Sequence, residues 1–354
     1  MPLKGRGAPS NRSSRFDAWD RQADCDFADH ASTDELPPNS RTCVTEQSAR
    51  TIISRNQSPD IPFDQSVNPF QGCEHGCVYC YARPTHAYLG LSPGLDFETR
   101  LYAKTNAAQL LATELSKPGY VPSLIALGAN TDPYQPIERR LEITRSILRV
   151  LSDFNHPVAI TTKSALVERD LDLLKPMAAK GLARVLVSIA TLDNELARSM
   201  EPRASAPARR LQTVRTLAQA GIPVGVLVAP VVLALTDPDL ERILAASANA
   251  GADSAGYVML RLPLEVRDLF VEWLEAHYPL RAKHVMSLVQ QIREGKDNDP
   301  GFGTRMRGTG QFAELIKQRF EIACRRLKLN AADSTLDTSL FTVPSLTKRQ
   351  LDLF

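Results

Sequence analysis

The amino-acid sequence predicts an α/β protein built on a partial barrel of six βα units, preceded by a polar segment and followed by a helical extension. From Asp64 onward, short runs rich in Val, Ile and Leu alternate with longer stretches of helical periodicity, the pattern of a parallel sheet covered by helices. The chain has 354 residues, of which 43% are hydrophobic, enough to build one large core. Six units are fewer than the eight of a closed barrel, so the barrel is predicted to be partial.

The elements follow in order along the chain. Strands are predicted near residues 66–70, 124–128, 158–162, 184–189, 224–228 and 256–260, and helices near 107–115, 137–152, 169–180, 207–220, 238–250 and 264–277. Shorter strands are predicted near 51–53 and 97–104. Gly181 and Gly221 lie just past their helices, where a C-terminal glycine is common. Asp237 followed by Pro238 is typical of a helix start.

The two ends of the chain differ from this core in composition. Residues 1–60 are polar, with four basic residues and no acidic residue in the first 16, which predicts a largely disordered arm; a phosphate-contacting arm is the alternative. Residues 61–280 form the predicted core. Residues 281–354 form a C-terminal extension with helices near 284–294 and 311–329, which could close the open barrel.

Bulk composition excludes several classes of protein. A formal net charge of +2 gives no general attraction to nucleic acid or membrane. Six cysteines, three of them clustered, do not resemble a secreted disulfide framework, and we expect a reducing, cytoplasmic location. No signal peptide is evident, and the longest apolar run, 224–235, is too short to span a bilayer.

Three cysteines, Cys73, Cys77 and Cys80, lie within eight residues in a C-x3-C-x2-C spacing. A [4Fe-4S] cluster takes one thiolate per iron, so three cysteines would leave one iron open for another ligand. A glycine precedes each of the first two cysteines and favours a tight loop. A closed zinc site completed by His75 or Cys43, a Cys73–Cys77 disulfide, and ordinary core cysteines are the alternatives.

With its flanks, the string C-x3-C-V-Y-C-Y-A-R-P resembles the spore-photoproduct-lyase-like branch of the radical S-adenosylmethionine (SAM) enzymes, in its uncharacterised bacterial members. The resemblance extends over about residues 61–329. It implies a radical SAM enzyme with a partial (β/α)6 barrel, a [4Fe-4S] cluster on Cys73, Cys77 and Cys80, and SAM on the open iron. Reductive cleavage of SAM would give a 5′-deoxyadenosyl radical that takes hydrogen from a substrate. A flavodoxin or ferredoxin would donate the electron.

Polar residues follow the second predicted strand and open a helix. In parallel α/β sheets chemistry gathers at the carboxyl ends of strands, so this segment is predicted to be an active-site loop. The resemblance implies that it faces the methionine part of SAM, with Thr131 and Asp132 as cofactor-binding residues and Gln135 and Glu138 as further candidates. Tyr134 is a candidate catalytic residue for relaying a hydrogen atom. Each also fits ordinary turn or capping chemistry.

Other strand ends supply further cofactor-binding candidates. A lysine at a buried strand end is costly without an anion, and the resemblance implies that Lys163 contacts the SAM carboxylate. It also implies that Ser188 hydrogen-bonds SAM and that Tyr79 lies near the adenine. Glu201, with Arg203, could orient SAM or substrate, or form a structural ion pair.

The sequence departs from the lyase in one respect. That enzyme uses a cysteine at the second strand end as a hydrogen donor, whereas residues 124–132 hold none and Cys25, Cys43 and Cys324 lie elsewhere. Photodimer repair by that route is therefore not expected, although Tyr79, Tyr81 or Tyr134 could relay a hydrogen atom. A nucleic acid is the leading candidate substrate. A metal- or cluster-binding nucleic-acid module, or a redox protein without SAM chemistry, is the alternative function.

A glycine-rich basic stretch, 303–310, precedes the last predicted helix. Its backbone N–H groups and two arginines could hold a phosphate, or it could be a flexible, solvated loop.

Overall fold

A computed structural model of the protein describes residues 4–17, 41–331 and 335–344. Its strands are β1 Cys43–Gln47, β2 Ile53–Arg55, β3 Gln65–Val67, β4 Phe70–Gln71, β5 Arg100–Lys104, β6 Ile125–Leu127, β7 Val158–Thr162, β8 Ala183–Ser188, β9 Val224–Val231 and β10 Ser254–Met259. Its α-helices are α1 Leu95–Thr99, α2 Ala107–Leu115, α3 Glu138–Leu141, α4 Ile143–Asp153, α5 Leu171–Ala179, α6 Asn194–Met200, α7 Pro207–Gln219, α8 Leu240–Asn249, α9 Val266–His277, α10 Pro279–Gln291 and α11 Gly310–Leu327.

The main sheet has the strand order β10-β9-β8-β7-β6-β3-β2. Six of its strands, β3 and β6 to β10, are parallel, and β2 pairs antiparallel with β3 at one edge. These six parallel strands are the six that the sequence predicts. They alternate with helices that bury their apolar faces on the sheet, so the predicted partial barrel is confirmed.

A second, three-stranded sheet has the order β1-β5-β4. Its strand β5 lies within the short strand predicted near 97–104, whereas the sheet itself was not predicted. β1 pairs parallel with β5, and the two-residue strand β4 pairs antiparallel with it. Because β4 ends at Gln71, this sheet fixes the point from which the cysteine loop leaves the core.

The polar N-terminal segment is not disordered where the structure describes it, which corrects the prediction for residues 4–17 and 41–60. Arg12 donates a hydrogen bond to Glu272 on α9 at 2.5 Å, and the Arg15 guanidinium lies 3.0 Å from Glu265. Asn11 pairs with Asp96. Two of the four basic residues that suggested a solvated arm, Arg12 and Arg15, are therefore held by acidic partners on the core. Residues 18–40, the rest of this prediction, lie outside the described residues.

The C-terminal extension packs against the barrel, with α10 on α9 and α11 on α8. The loop before α11 reaches the open side of the sheet: the Met259 N–H donates to the Met306 carbonyl at 2.9 Å, and Arg305 forms a two-pronged pair with Asp60, ahead of β3. This loop therefore bridges the two edges of the open sheet at its mouth. No helix in the described part of the chain is long and apolar enough to cross a membrane.

Candidate cofactor site

The three clustered cysteines occupy a tight loop that begins directly after β4. Gly72 and Gly76 have φ of 78° and 67°, in the left-handed region that disfavours other residues. A Cβ at Gly72 would lie 2.7 Å from a Leu101 methyl carbon, and one at Gly76 would lie 2.7 Å from a Glu98 oxygen. Glycine is therefore required at both positions for the loop to bring its thiols together.

A buried arginine fastens the outer side of this loop. Arg83, which is fully buried, donates to the carbonyl oxygens of Cys77 at 2.9 Å and Gly76 at 3.1 Å. Its charge is matched by Glu98, also fully buried, at 2.5 Å. Because both carbonyls belong to the loop, the direction in which the Cys77 thiol points depends on this ion pair.

All three thiols are free, and Cys73 and Cys77 are buried. Burial raises the pKa of each thiol, that of Cys77 to about 12, and the charges of neighbouring acidic groups raise the pKa of Cys73 and Cys77 further. The thiols are therefore protonated until a cationic centre displaces the protons. A soft donor set of three closely spaced cysteines fits a [4Fe-4S] cluster with one iron left without a protein ligand.

The structure gives little support to a zinc site. No three or more His, Cys, Asp and Glu side chains in residues 4–17, 41–331 and 335–344 are arranged to hold a single metal ion. A cluster requires less convergence, because each thiolate binds its own iron. The two residues predicted to complete a zinc site are placed elsewhere: His75 lies with Nδ1 3.3 Å from the Asp132 carboxylate, and Cys43 is exposed on β1, paired with Arg100.

Four of the predicted SAM-binding residues meet beside the cysteine loop. The Tyr79 hydroxyl donates to Glu201, and the Lys163 ammonium lies 2.9 Å from the Ser188 hydroxyl and 3.9 Å from the Glu201 carboxylate. The same ammonium lies 5.9 Å from the centre of the Tyr79 ring. The four come from the cysteine loop, the end of β7, the end of β8 and the end of α6, so only the folded barrel brings them together.

Arg210 on α7 completes this group. Its guanidinium forms an ion pair with Glu201 and donates to the Ser188 carbonyl at 2.8 Å. The sequence suggested Arg203 as the partner of Glu201. In the structure Arg203 pairs with Glu74 at 3.1 Å. Arg210 is the fully buried residue of the two, because it lies on the face of α7 that packs on the sheet.

The electrostatics of the group favour an anionic ligand. Burial would raise the pKa of Glu201, but the adjacent Arg210 and Lys163 and the hydrogen bond from Tyr79 outweigh it and lower that pKa. Burial, with the charges of Cys77 and Glu201, raises the pKa of Tyr79 well above its usual range. The group therefore holds one carboxylate, a neutral phenol and two cations, which leaves a net positive charge beside the thiols.

Asp132 and Thr131 brace the strand ends. Asp132 accepts hydrogen bonds from the Thr162 hydroxyl and the Lys163 N–H, both at 2.7 Å. Burial would raise its pKa, but these bonds and His75 lower it to about 2. Thr131 donates to the Phe70 carbonyl at 3.0 Å. Both side chains thus have structural partners, and their contact with SAM stays a prediction.

Tyr134 is not part of the group beside the thiols. It is fully buried, and its hydroxyl donates to Asp170 at 3.0 Å. A catalytic role for it stays a prediction. Its neighbour Gln135 does reach the cysteine loop: its side chain donates to the Gly72 carbonyl at 3.1 Å and accepts from the Glu74 N–H at 2.9 Å.

Three residues of the site were not identified from the sequence. Arg83 belongs to the string C-x3-C-V-Y-C-Y-A-R-P, but the sequence alone suggests no role for it, and Arg210 is not among the predicted site residues. Arg210 could have been found from the helical periodicity of 207–219, which places it on the apolar face of an amphipathic helix. Glu98 carried no signal, because it lies in a five-residue helix whose partners are distant in sequence.

Comparison with known proteins identifies related chains. A family model described as the radical SAM superfamily matches residues 67–246. An uncharacterised protein from Mycobacterium bovis is 40% identical over 236 residues, covering 66% of this chain and 67% of that protein. An uncharacterised protein from Methanocaldococcus jannaschii is 26% identical over 241 residues, covering 68% and 86%.

Among solved structures, the fold is similar to that of spore photoproduct lyase. The lyase complexed with dinucleoside spore photoproduct has a TM-score of 0.56 and 17% identity, covering 80% of this chain and 79% of that one. A double mutant of the lyase with bound S-adenosylmethionine and the same dinucleoside has a TM-score of 0.55 and 17% identity, with the same coverage. At this identity the similarity concerns the fold.

Proposed function

The chain belongs to the radical SAM superfamily, whose members are enzymes that use a [4Fe-4S] cluster and SAM, and on that premise we propose which residues bind both. Cys73, Cys77 and Cys80 hold the cluster. Tyr79, Lys163, Ser188 and Glu201 bind SAM, with Thr131 and Asp132 at the edge of the site. The observation that carries this proposal is the convergence of Lys163, Ser188 and Glu201, from three different strand or helix ends, beside the cysteine loop.

A cluster held by Cys73, Cys77 and Cys80, with SAM bound beside it, would supply radical chemistry: one-electron cleavage of the sulfur–C5′ bond of SAM and abstraction of a hydrogen atom from the substrate. The protein binds and orients SAM and excludes water. Lys163 offers a positive charge to the SAM carboxylate, and Ser188, 2.9 Å away, fixes the direction of that ammonium. Glu201, held by Arg210, can accept hydrogen bonds from a hydroxyl or amino group of the cofactor.

The buried charges keep this arrangement rigid. Tyr79 and Arg210 both bind Glu201, so its two oxygens are fixed in direction before the cofactor arrives. Preorganised groups cost little reorganisation when a ligand binds, which favours one orientation of SAM over others.

A nucleic acid is the substrate class we propose. The similar fold of spore photoproduct lyase, which has been solved in complex with dinucleoside spore photoproduct, supports this class. A flavodoxin or ferredoxin is the proposed electron donor. Of the three tyrosines considered for hydrogen relay, we favour Tyr81, which follows Cys80 directly and is 47% exposed. Its hydroxyl donates to a backbone carbonyl, that of Ala129, whereas the hydroxyls of Tyr79 and Tyr134 bind buried carboxylates.

Formation of 5′-deoxyadenosine tests the proposal. Protein reconstituted with iron and sulfide without oxygen is reduced with dithionite and given SAM, and the products are separated by chromatography. Wild type should form 5′-deoxyadenosine and the Cys77→Ala variant should form none. Lys163→Met should retain its iron but form product only at higher SAM concentration. Cleavage of SAM by the Cys77→Ala variant at the wild-type rate would contradict the assignment.

A further inference from the structure

An arginine without a counter-ion lies at the mouth of the barrel. Arg261 lies two residues past the end of β10, and its guanidinium lies 5.6 Å from the centre of the Tyr81 ring. Tyr81 is the residue after Cys80, and its hydroxyl donates to the carbonyl of Ala129, which follows the end of β6. Arg261 therefore lies between the cysteine loop and the loop that bridges the open side of the sheet.

The charge of Arg261 is not matched within the described part of the chain. It forms no ion pair there, its Nε is buried without a hydrogen-bond partner, and the one hydrogen bond that its side chain makes in these residues is to the sulfur of Met306 at 3.6 Å. The nearby carboxylate of Asp60 is bound by Arg305, which donates to it with two N–H groups at 2.6 and 2.8 Å. Burial, and repulsion from Arg305, lower the pKa of Arg261.

An uncompensated guanidinium is costly to keep half-buried, and a protein lowers that cost when an anion binds. A guanidinium fork fits the oxygens of a phosphate in two-pronged geometry. Arg261 contacts Tyr81, which follows Cys80 and is 47% exposed, so its position is close to the cysteine loop and can be reached from solvent.

We propose that Arg261 binds a phosphate group of the substrate at the mouth of the site, beside Tyr81. The substrate is then a phosphate-bearing molecule, either a free nucleotide or a strand of nucleic acid. This inference rests on the proposed function, because it places the phosphate next to the proposed cluster and SAM site. It deepens that proposal by naming the residue that recognises the anion.

Binding is measured on the reconstituted protein by the fluorescence anisotropy of a short, labelled single DNA strand, in competition with thymidine monophosphate and with thymidine. Arg261→Gln removes the charge, and Arg261→Lys keeps it. The control is Arg267→Gln on α9, which removes an arginine that is already paired with Asp268 and Asp297 at the surface. Circular dichroism and thermal unfolding check that the variants are folded.

We expect Arg261→Gln to weaken binding of the strand about tenfold or more, since a charged hydrogen-bond pair is lost, and to reduce the dependence of log affinity on log salt by about one unit. Arg261→Lys should retain more affinity than Arg261→Gln, and the control should bind like wild type. Competition by thymidine monophosphate but not thymidine would support a free nucleotide as ligand, and binding of the strand alone would support nucleic acid.

Equal affinity in wild type and a folded Arg261→Gln variant would overturn the inference, as would a wild type that binds neither strand nor monophosphate. The assay does not depend on SAM cleavage. If the protein forms 5′-deoxyadenosine but fails this binding assay, only the proposed phosphate site is rejected. If the protein binds the strand through Arg261 but never cleaves SAM, only the proposed reaction is rejected.

Discussion

The ion pair between Arg83 and Glu98 gives the sharpest test of how the cysteine loop is held. The Glu98 carboxylate accepts from Arg83 at 2.5 Å, and it also accepts from the N–H groups of Gly7 at 3.1 Å and Ala8 at 2.8 Å in the N-terminal segment. Glu98→Gln keeps the size of the side chain but removes its charge. The NH2 group of the glutamine would face other N–H donors, from which it cannot accept a hydrogen bond. The buried guanidinium of Arg83 would also lose its only carboxylate partner among the described residues.

The burial of both partners sets the expected loss in the free energy of unfolding. Removing one partner of a buried ion pair costs about 3–5 kcal/mol, because the remaining charge stays buried without compensation. The matched control is Glu314→Gln on α11, where the same chemical change affects a carboxylate that is 53% exposed and 3.4 Å from Lys317. An exposed pair of this kind contributes less than about 0.5 kcal/mol.

Urea unfolding of the two variants, followed by circular dichroism, measures the free energy of unfolding. A second readout is the iron retained after gel filtration, because Arg83 also holds the carbonyl of Cys77. We expect Glu98→Gln to lose several kcal/mol and part of its iron, and Glu314→Gln to lose neither. A Glu98→Gln variant as stable as the control would refute the view that this pair fastens the loop.

Three further predictions follow from other contacts. Lys163→Met should raise the dissociation constant for SAM about tenfold or more by loss of a charged contact; equilibrium dialysis checks this, and unchanged affinity would argue against a role for the ammonium. At Gly128, where φ is 89° and a Cβ would lie 2.1 Å from the Thr161 carbonyl oxygen, alanine should destabilise by more than about 1 kcal/mol in urea unfolding. Gly119→Ala, with a similar φ of 80° but open space, is the control, and an equal loss at both would show that the contact with Thr161 is unimportant. Burial lowers the pKa of His156 from 6.5 to about 4, so the unfolded chain takes up the proton first and stability should fall as the pH drops between these values, by up to about 3 kcal/mol. Urea midpoints across this range should fall less for His156→Gln, and the same slope in both proteins would count against the assignment.

The main sheet could be predicted because its strands are short, apolar and buried on both faces, so each stands out from the helices between them. The strand at 158–162 was predicted to the residue, and the helix at 107–115 likewise. Of the small sheet of β1, β5 and β4, only β5 was predicted, as part of the short strand near 97–104; β1 and the pairing of the three strands were not. Its strands are two to five residues long and partly exposed, and β1 and β5 pair across 57 residues of sequence, as Cys43 and Arg100 do.

The candidate site was predictable in proportion to how local its signals are. The three cysteines are close in sequence, and Lys163 and Ser188 lie at the ends of recognisable strands. The partners that hold them are not local: Glu201 pairs with Arg210 rather than Arg203, a choice made by which face of α7 meets the sheet. The N-terminal segment was misjudged for the same reason, since its acidic partners on α9 are about 260 residues away in sequence.

The open iron is the central claim, and electron paramagnetic resonance of the reduced protein tests it most directly. Protein reconstituted without oxygen should contain about four irons per chain, since three cysteines hold three of them and the fourth has no protein ligand. The signal of the reduced cluster should change when SAM is added, because SAM becomes a ligand of that iron. A signal that stays the same at saturating SAM, or a chain that binds zinc in place of iron, would contradict the account.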